Sequence, residues 1–282
     1  MRKYLAAMIQ MNTGRDREEN LEYARARVEE AAQMGAKLIC LPETMSFIGD
    51  AAETLEHAED ENGPSFRMIS GLAKKYGVYV HGGSWAERIP GEPRVYNTSR
   101  LFSPAGTPLA KYRKMHLFDI TMPDGGAARE SEHVAPGREV VTAHTELGVL
   151  GFAICYDLRF PELFRLLALR GAQVILVPAC FTLQTGKDHW EPLLRARAIE
   201  NECYVIAPDQ IGKNAGMTAF GGSMAVDPWG TVIARAGETP SVTLAQIDLD
   251  YLDRVRSRMQ TLSNRREDVY ALRLNRGETG KL

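Results

Sequence analysis

Two stretches of this chain repeat one pattern, Gly35-Ala36-Lys37-Leu38-Ile39-Cys40-Leu41-Pro42 and Gly171-Ala172-Gln173-Val174-Ile175-Leu176-Val177-Pro178. Each comes after a helix-like segment, enters a short apolar run through Gly-Ala, and stops at proline. A run this short and this apolar suits a strand covered on both faces, as in a parallel sheet. Proline ends it because it cannot donate to the ladder. Two related halves of one α/β domain would produce this echo, with both loops at the same edge of a sheet. Chance similarity between two buried strands is the alternative. The C-terminal ends of such strands are where α/β sites form.

The rest of the chain alternates in the same way. Strands are expected over residues 4–11, 37–41, 78–82, 149–154, 174–177 and 204–207, with further ones near 222–226 and 231–234. Leu21, Ala24, Val28 and Ala31 recur at helical spacing within 16–34, and helices are also expected over 64–76, 161–169 and 189–201. Ser103-Pro104-Ala105-Gly106-Thr107 separates two strand-like runs, 95–102 and 108–112, and predicts a hairpin. No Ser/Gly/Pro tract resembles a linker, so 1–282 reads as a single domain.

Composition excludes several classes. The 282 residues are 44% apolar with a formal net charge of −2 and no Lys/Arg block, which argues against a nucleic-acid or anionic-membrane partner. Arg2 and Lys3 precede only a short apolar run, so neither a signal peptide nor a membrane span is expected. Cys40, Cys155, Cys180 and Cys203 lack the close spacing of a zinc site or redox dithiol, so no metal is expected, and a reducing, cytoplasmic compartment is. Cys40, Cys180 and Cys203 sit in or beside apolar runs and read as small buried hydrophobes.

Cys155 differs from the other three. Leu150 to Ile154 deliver the chain to it, and the residues after it turn into a helix beginning near Pro161. A cysteine at a strand–turn–helix junction lies near free backbone N–H groups, which favour thiolate and can hold a developing oxyanion. Glu43 ends its own buried strand and is either a general base or a cap for the next segment. Lys114 lies just past the predicted hairpin. Together they suggest a nucleophile, a base and a cation at the ends of separate strands, as acyl transfer through a thioester requires.

Leu41-Pro42-Glu43, Tyr112-Arg113-Lys114-Met115-His116-Leu117 and Ile154-Cys155-Tyr156-Asp157-Leu158-Arg159-Phe160-Pro161-Glu162 occur in the order that marks the nitrilase (carbon–nitrogen hydrolase) superfamily. The resemblance continues through His189-Trp190, the stretch Arg195 to Asn201, and Asp227-Pro228-Trp229-Gly230. It implies a four-layer α-β-β-α sandwich acting without a cofactor, paired as a homodimer, with the C-terminal segment expected at the interface. It makes Cys155 the nucleophile, Glu43 the general base, and Lys114 and the Tyr156 backbone N–H the oxyanion donors. Glu130 matches the family's second glutamate, which positions Lys114 and the hydrolytic water. Met122-Pro123-Asp124-Gly125-Gly126 departs from the family pattern nearby.

The same resemblance implies substrate residues. An arginine at the position of Arg159 grips a substrate carboxylate in carbamoyl-amino-acid hydrolases, and an ion pair with Asp157 or Glu162 is the structural alternative. Phe47, Phe181, Thr182 and His189 are further pocket candidates, each just past a strand or at a helix start; for His189 a packing or capping role is as plausible. Phe47-Ile48-Gly49, Ala52-Glu53-Thr54-Leu55, Gly82-Gly83-Ser84 and Asp248-Leu249-Asp250-Tyr251-Leu252 resemble the branch acting on deaminated glutathione. The ω-amidases that act on 2-oxoglutaramate match almost as well. Two other readings stay open at this point: a Cys–His hydrolase using His116 or His189, and a scaffold that binds a partner without turnover.

Overall fold

The computed structural model describes residues 2–121 and 127–274. The departing stretch Met122–Gly126 lies outside them, as does the chain's end from 275 onward.

The first half of the chain builds one sheet. β1 (Lys3–Gln10) leads to α1 (Arg17–Gln33), which starts where the Asp16 carboxylate accepts from the backbone N–H groups of Glu18 and Glu19. β2 (Leu38–Cys40), α2 (Ala51–Glu56) and α3 (Pro64–Tyr76) come after it. α3 opens on proline and closes on Gly77 in the left-handed region at φ +62°. β3 (Tyr79–His81), β4 (Trp85–Arg88), β5 (Val95–Phe102) and β6 (Pro108–Arg113) come next, the last two paired as the expected hairpin. β7 (Asp119–Thr121) pairs antiparallel with β8 (Ala127–Arg129).

The second half builds a second sheet. β9 (Thr142–Thr145) and β10 (Gly148–Phe152) precede α4 (Pro161–Leu169), β11 (Val174–Leu176), α5 (Leu183–Asn201) and β12 (Tyr204–Ala207). β13 (Ile211–Asn214) and β14 (Met217–Phe220) form a side hairpin before β15 (Met224–Val226) and β16 (Val232–Arg235). β17 (Ser241–Asp248) then returns to the first sheet, antiparallel to β1 with Asp248 opposite Lys3, and leads into α6 (Leu249–Met259). The sheets run β17-β1-β2-β3-β5-β4, with β6 also on β5, and β16-β15-β12-β11-β10-β9.

Side-chain alternation along the strands sorts these parts into layers. Ala7 and Ile9 of β1 and Ile39 of β2 pack with Val28 of α1 and Leu72 of α3. Their neighbours Ala6, Met8, Leu38 and Cys40 point the other way, into a cluster shared with Leu150, Phe152 and Ile175 of the second sheet. Leu163 and Leu167 of α4 and Leu194 of α5 close the far side. The result is the α-β-β-α sandwich that the resemblance implies. Burying one such side chain is worth about 2 kcal/mol, against under about 1 for an exposed pair such as Arg25–Glu22. The inner faces, not the surface charges, hold the layers.

The structure corrects two expectations. β2 and β11, the two halves of the sequence echo, are each the middle of three parallel strands, but in different sheets. Their loops therefore do not share one sheet edge; they meet across the interface between sheets. α5 begins at Leu183 rather than near His189, because Gly186 lets Phe220 approach where a side chain would clash. That packing overrides the weak helix propensity of Thr185 and Gly186.

Candidate active site

Glu43 leaves β2 through Leu41-Pro42 and is held by a tight crossing of two loops. Ser84 N–H donates to the Pro42 carbonyl (3.3 Å), Met45 N–H donates to the Ser84 carbonyl (3.0 Å), and Thr44 N–H donates to Ser84 Oγ (3.1 Å). Thr44 itself is left-handed at φ +52°. The Glu43 carboxylate is buried and accepts from three donors, which leaves room on Oε2 for a further proton. Oε1 accepts from Asn97 Nδ2 (2.8 Å) and Lys114 Nζ (3.0 Å), and Oε2 accepts from the Cys180 backbone N–H (2.8 Å).

Lys114 lies just after β6, its N–H donating to the Asn97 carbonyl at 2.9 Å. Its Nζ also donates to Glu130 Oε1 (3.0 Å) and Oε2 (2.9 Å), so one ammonium bridges two carboxylates. Glu130 begins a single 3-10 turn after β8 and accepts from Phe118 N–H as well. Burial works against the Lys114 charge, but Glu130 and Glu43 outweigh it and push the ammonium well above its usual range. Lys114 stays charged.

Cys155 opens the 3-10 turn Cys155–Arg159 at φ +45°, a conformation that costs a non-glycine residue about 1–3 kcal/mol. Its surroundings hold it there. Cys155 N–H donates to the Pro178 carbonyl (2.9 Å), and buried Asp157 accepts from Ile154 N–H (2.8 Å) and Tyr112 O–H (2.7 Å) through Oδ2. Asp157 Oδ1 accepts from His116 N–H (3.0 Å) and lies 2.7 Å from His116 Nδ1. From α5, Arg197 Nε donates to the Leu158 carbonyl at 3.0 Å, which gives the Arg195-to-Asn201 motif a structural reason. Burial, then the charge of Glu43, push the Cys155 thiol well above its usual range, while Lys114 and the Cys180 N–H pull the other way. A thiol in this setting rests protonated and loses its proton only to a base at hand.

Glu43, Lys114, Glu130 and Cys155 all line one cavity of about 490 Å³. Phe47, Tyr156, Arg159, Phe181 and Thr182 also line it. His189 does not; it reaches the site through Arg159, whose Nη1 sits 3.3 Å from its Nδ1. Among the described residues Arg159 has no ion pair: Asp157 is committed to Tyr112, Ile154 and His116, and the guanidinium instead lies over the Tyr156 and Phe181 rings. His116 stacks on Phe160 at 3.7 Å and bonds Asp157 rather than the thiol.

Some site residues escape a reading of the sequence alone. Asn97 is a mid-strand polar residue with no motif around it, yet it fixes Glu43. Cys180 is less buried than expected: it is a partly buried wall residue of the cavity, and its N–H holds Glu43. The signal that could have found it is its place after the echo's second proline, matching Glu43 after the first with one residue between. Among the described residues no cluster of His, Cys, Asp or Glu is arranged to hold a metal ion, and no helix is long and apolar enough to cross a membrane.

Helix-covered paired sheets that gather a thiol, an ammonium and carboxylates at their strand ends define a hydrolase of the nitrilase type. The chain belongs to the carbon–nitrogen hydrolase family, whose sequence model matches residues 5–257. It is 42% identical over 269 residues to a deaminated glutathione amidase of Synechocystis sp., covering 94% of this chain and 99% of that protein. It is 39% identical over 273 residues to the omega-amidase NIT2 of Danio rerio, covering 96% and 98%. The crystal structure of the C. elegans NitFhit protein superposes with a TM-score of 0.92 at 38% identity, covering 99% of this chain and 69% of that one.

Proposed function

We propose that this chain is an amidase that hydrolyses deaminated glutathione through a thioester on Cys155. The observation that carries the reading is the Lys114 ammonium, bonded at once to Glu43 and Glu130 in the cavity that holds Cys155. Glu43 takes the thiol proton as sulfur attacks the amide carbon. Lys114 and the Tyr156 N–H stabilise the oxyanion; one such donor is worth about 3 kcal/mol. Glu43 returns the proton to the departing amine as the C–N bond breaks. Water then attacks the thioester carbon, giving its proton to Glu43; the C–S bond breaks and Glu43 returns that proton to the Cys155 sulfur, while Glu130 holds Lys114 and the water in place. Every proton has a carrier, so no histidine is needed, and neither His116 nor His189 lines the cavity that holds Cys155, which argues against a Cys–His site. The intact set of four groups argues against an inactive scaffold.

Similarity to the Synechocystis protein over nearly both full chains supports the substrate. Arg159, half-buried without a carboxylate partner among the described residues, suits the carboxylate of a 2-oxo acyl group. An ω-amidase acting on 2-oxoglutaramate would use the same acyl group, and the Danio rerio relative supports that second reading. Carbamoyl amino acids are a third class for the same arginine. Incubating pure protein with each substrate and measuring released 2-oxoglutarate or ammonia ranks them; Cys155→Ala should release neither. Full turnover by that variant overturns the reading.

The reading extends to a cytoplasmic homodimer. Four free cysteines support a reducing compartment. Trp229 is 55% exposed beside Ile199 at 48%, an apolar patch suited to a second copy, and Val269 of the C-terminal segment is exposed as well. Sedimentation of the wild type and Trp229→Glu tests it: a dimer weakened by the charge is expected, and a wild-type monomer overturns it.

A further inference from the structure

Two guanidinium groups line the cavity, and they sit in different places. Arg159 is half-buried in the nucleophile turn, against Tyr156, Phe181 and His189. Arg129 is exposed at the end of β8, beside Glu130, where the cavity meets solvent. Its Nη1 donates to the carbonyls of Ile120 (2.6 Å) and Ala128 (3.0 Å), and its Nη2 donates to Thr121 Oγ1 (3.2 Å). These acceptors are neutral and fix the planar fork; Asp119 lies close enough to feel its charge but is bonded to Ser131 rather than to the guanidinium. The carboxylates nearby are otherwise engaged. Glu130 holds Lys114 and Phe118 N–H, and Asp119 accepts from Ser131 N–H (3.0 Å) and Oγ (2.6 Å). Among the described residues Arg129 forms no ion pair, and part of its fork has no acceptor.

We infer that Arg129 is a specificity-determining residue that binds a second substrate carboxylate, carried by the leaving half of the amide. The inference rests on the amidase reading above and deepens it. The acyl half must reach Cys155 and stay there as thioester, so it occupies the deep end with Arg159. The leaving half departs through the mouth, past Arg129. Ammonia leaving from a primary amide has nothing to offer that guanidinium. A peptide ending in a free carboxylate does, and deaminated glutathione carries one carboxylate on each side of its scissile bond. A preoriented guanidinium fork matches a carboxylate in two parallel hydrogen bonds, which a lysine cannot reproduce.

The test compares deaminated glutathione with its analogue in which the terminal glycine carboxylate is a carboxamide, so that the scissile bond and acyl half are unchanged. Wild-type protein should prefer the acid in kcat/KM by about tenfold or more, chiefly through KM, as expected for a hydrogen-bonded charge pair at a partly exposed site. Arg129→Ala should abolish that preference, Arg129→Lys should retain part of it, and Arg159→Ala should lower turnover of both compounds while keeping it. An Arg129→Ala protein that still prefers the acid as strongly as wild type overturns the inference, as does a wild type with no preference. Wild-type protein that turns over neither compound, while releasing ammonia from 2-oxoglutaramate, overturns the deaminated-glutathione reading itself, and this inference with it.

Discussion

The Tyr112 hydroxyl donates to Asp157 at 2.7 Å and thereby ties the strand that leads to Lys114 to the turn that begins with Cys155. Burial and the neighbouring carboxylate push the Tyr112 hydroxyl far above its usual range, so it remains a donor. Asp157 also accepts from Ile154 N–H on the nucleophile side and His116 N–H on the lysine side. One carboxylate thus sets the spacing between thiol and ammonium without touching either. Asp157→Asn loses an acceptor oxygen there, and a misplacement of about 1 Å costs on the order of 100-fold. We expect kcat to fall by that order with KM little changed, whereas Tyr112→Phe, which removes one bond to a buried carboxylate worth about 1.5–3 kcal/mol, should show mainly in the unfolding midpoint. Unchanged kcat in Asp157→Asn would reduce the residue to packing.

Gly83 makes the loop crossing that presents Glu43. Its φ is +63°, and a Cβ there would stand 1.9 Å from the Pro42 carbonyl oxygen, a backbone atom with nowhere to go. Gly83→Ala must therefore displace residues 41–43. Activity is expected to fall well beyond the stability loss of about 1–3 kcal/mol for a strained position. Thermal unfolding and turnover measured on the same preparation separate the two; a fully active, equally stable variant would contradict the crossing.

Glu43 raises the Cys155 thiol and, in the proposed mechanism, also deprotonates it. The two effects part company in Glu43→Gln. Removing the carboxylate charge leaves Lys114 as the nearer influence, so the thiol titrates at lower pH and a larger fraction is thiolate at any fixed pH. Alkylation of Cys155 by iodoacetamide should become faster while amide turnover falls by about 10²–10⁴, the usual worth of a general base. Slower alkylation together with slower turnover would point to a collapsed site instead.

The core of the sandwich is legible in the sequence because buried parallel strands leave continuous apolar runs: 37–41, 174–177 and 204–207 are read directly as strands. β17 escapes such a reading, because it is an edge strand with a mixed pattern, and only its pairing with β1 buries Ala245 and Ile247. In the site, Glu43, Lys114 and Cys155 each carry a local mark, the end of a strand or hairpin. Asn97 and Arg129 carry none; their roles exist only once a distant carboxylate or an open cavity lies opposite them. Cys180 is easily misread because an apolar flank says that a cysteine is near the core, not whether it faces a cavity. The sheet assignment of the echo fails for a similar reason, since two identical strand signals cannot say whether they share a ladder.

His81 gives the sandwich a dependence on pH that is separate from catalysis. It lies wholly buried between the sheets, its Nε2 2.6 Å from Ser99 Oγ and its Nδ1 without a partner among the described residues. Burial lowers its pKa to about 3. In the unfolded chain the ring titrates near 6.5. Between these values the unfolded state binds a proton that the folded state refuses, so stability must fall as pH drops through 6.5 and keep falling to about 3. At about 1.4 kcal/mol per pH unit, this one ring should remove about 2 kcal/mol between pH 7 and pH 5. Urea unfolding at the two pH values measures the loss. A non-titrating replacement, His81→Asn, should start less stable at pH 7, because its fit between the sheets is poorer, yet lose about 2 kcal/mol less than wild type on acidification. Parallel losses in the two proteins would show that the ring takes up its proton without unfolding the sandwich, and that the space between the sheets admits water there.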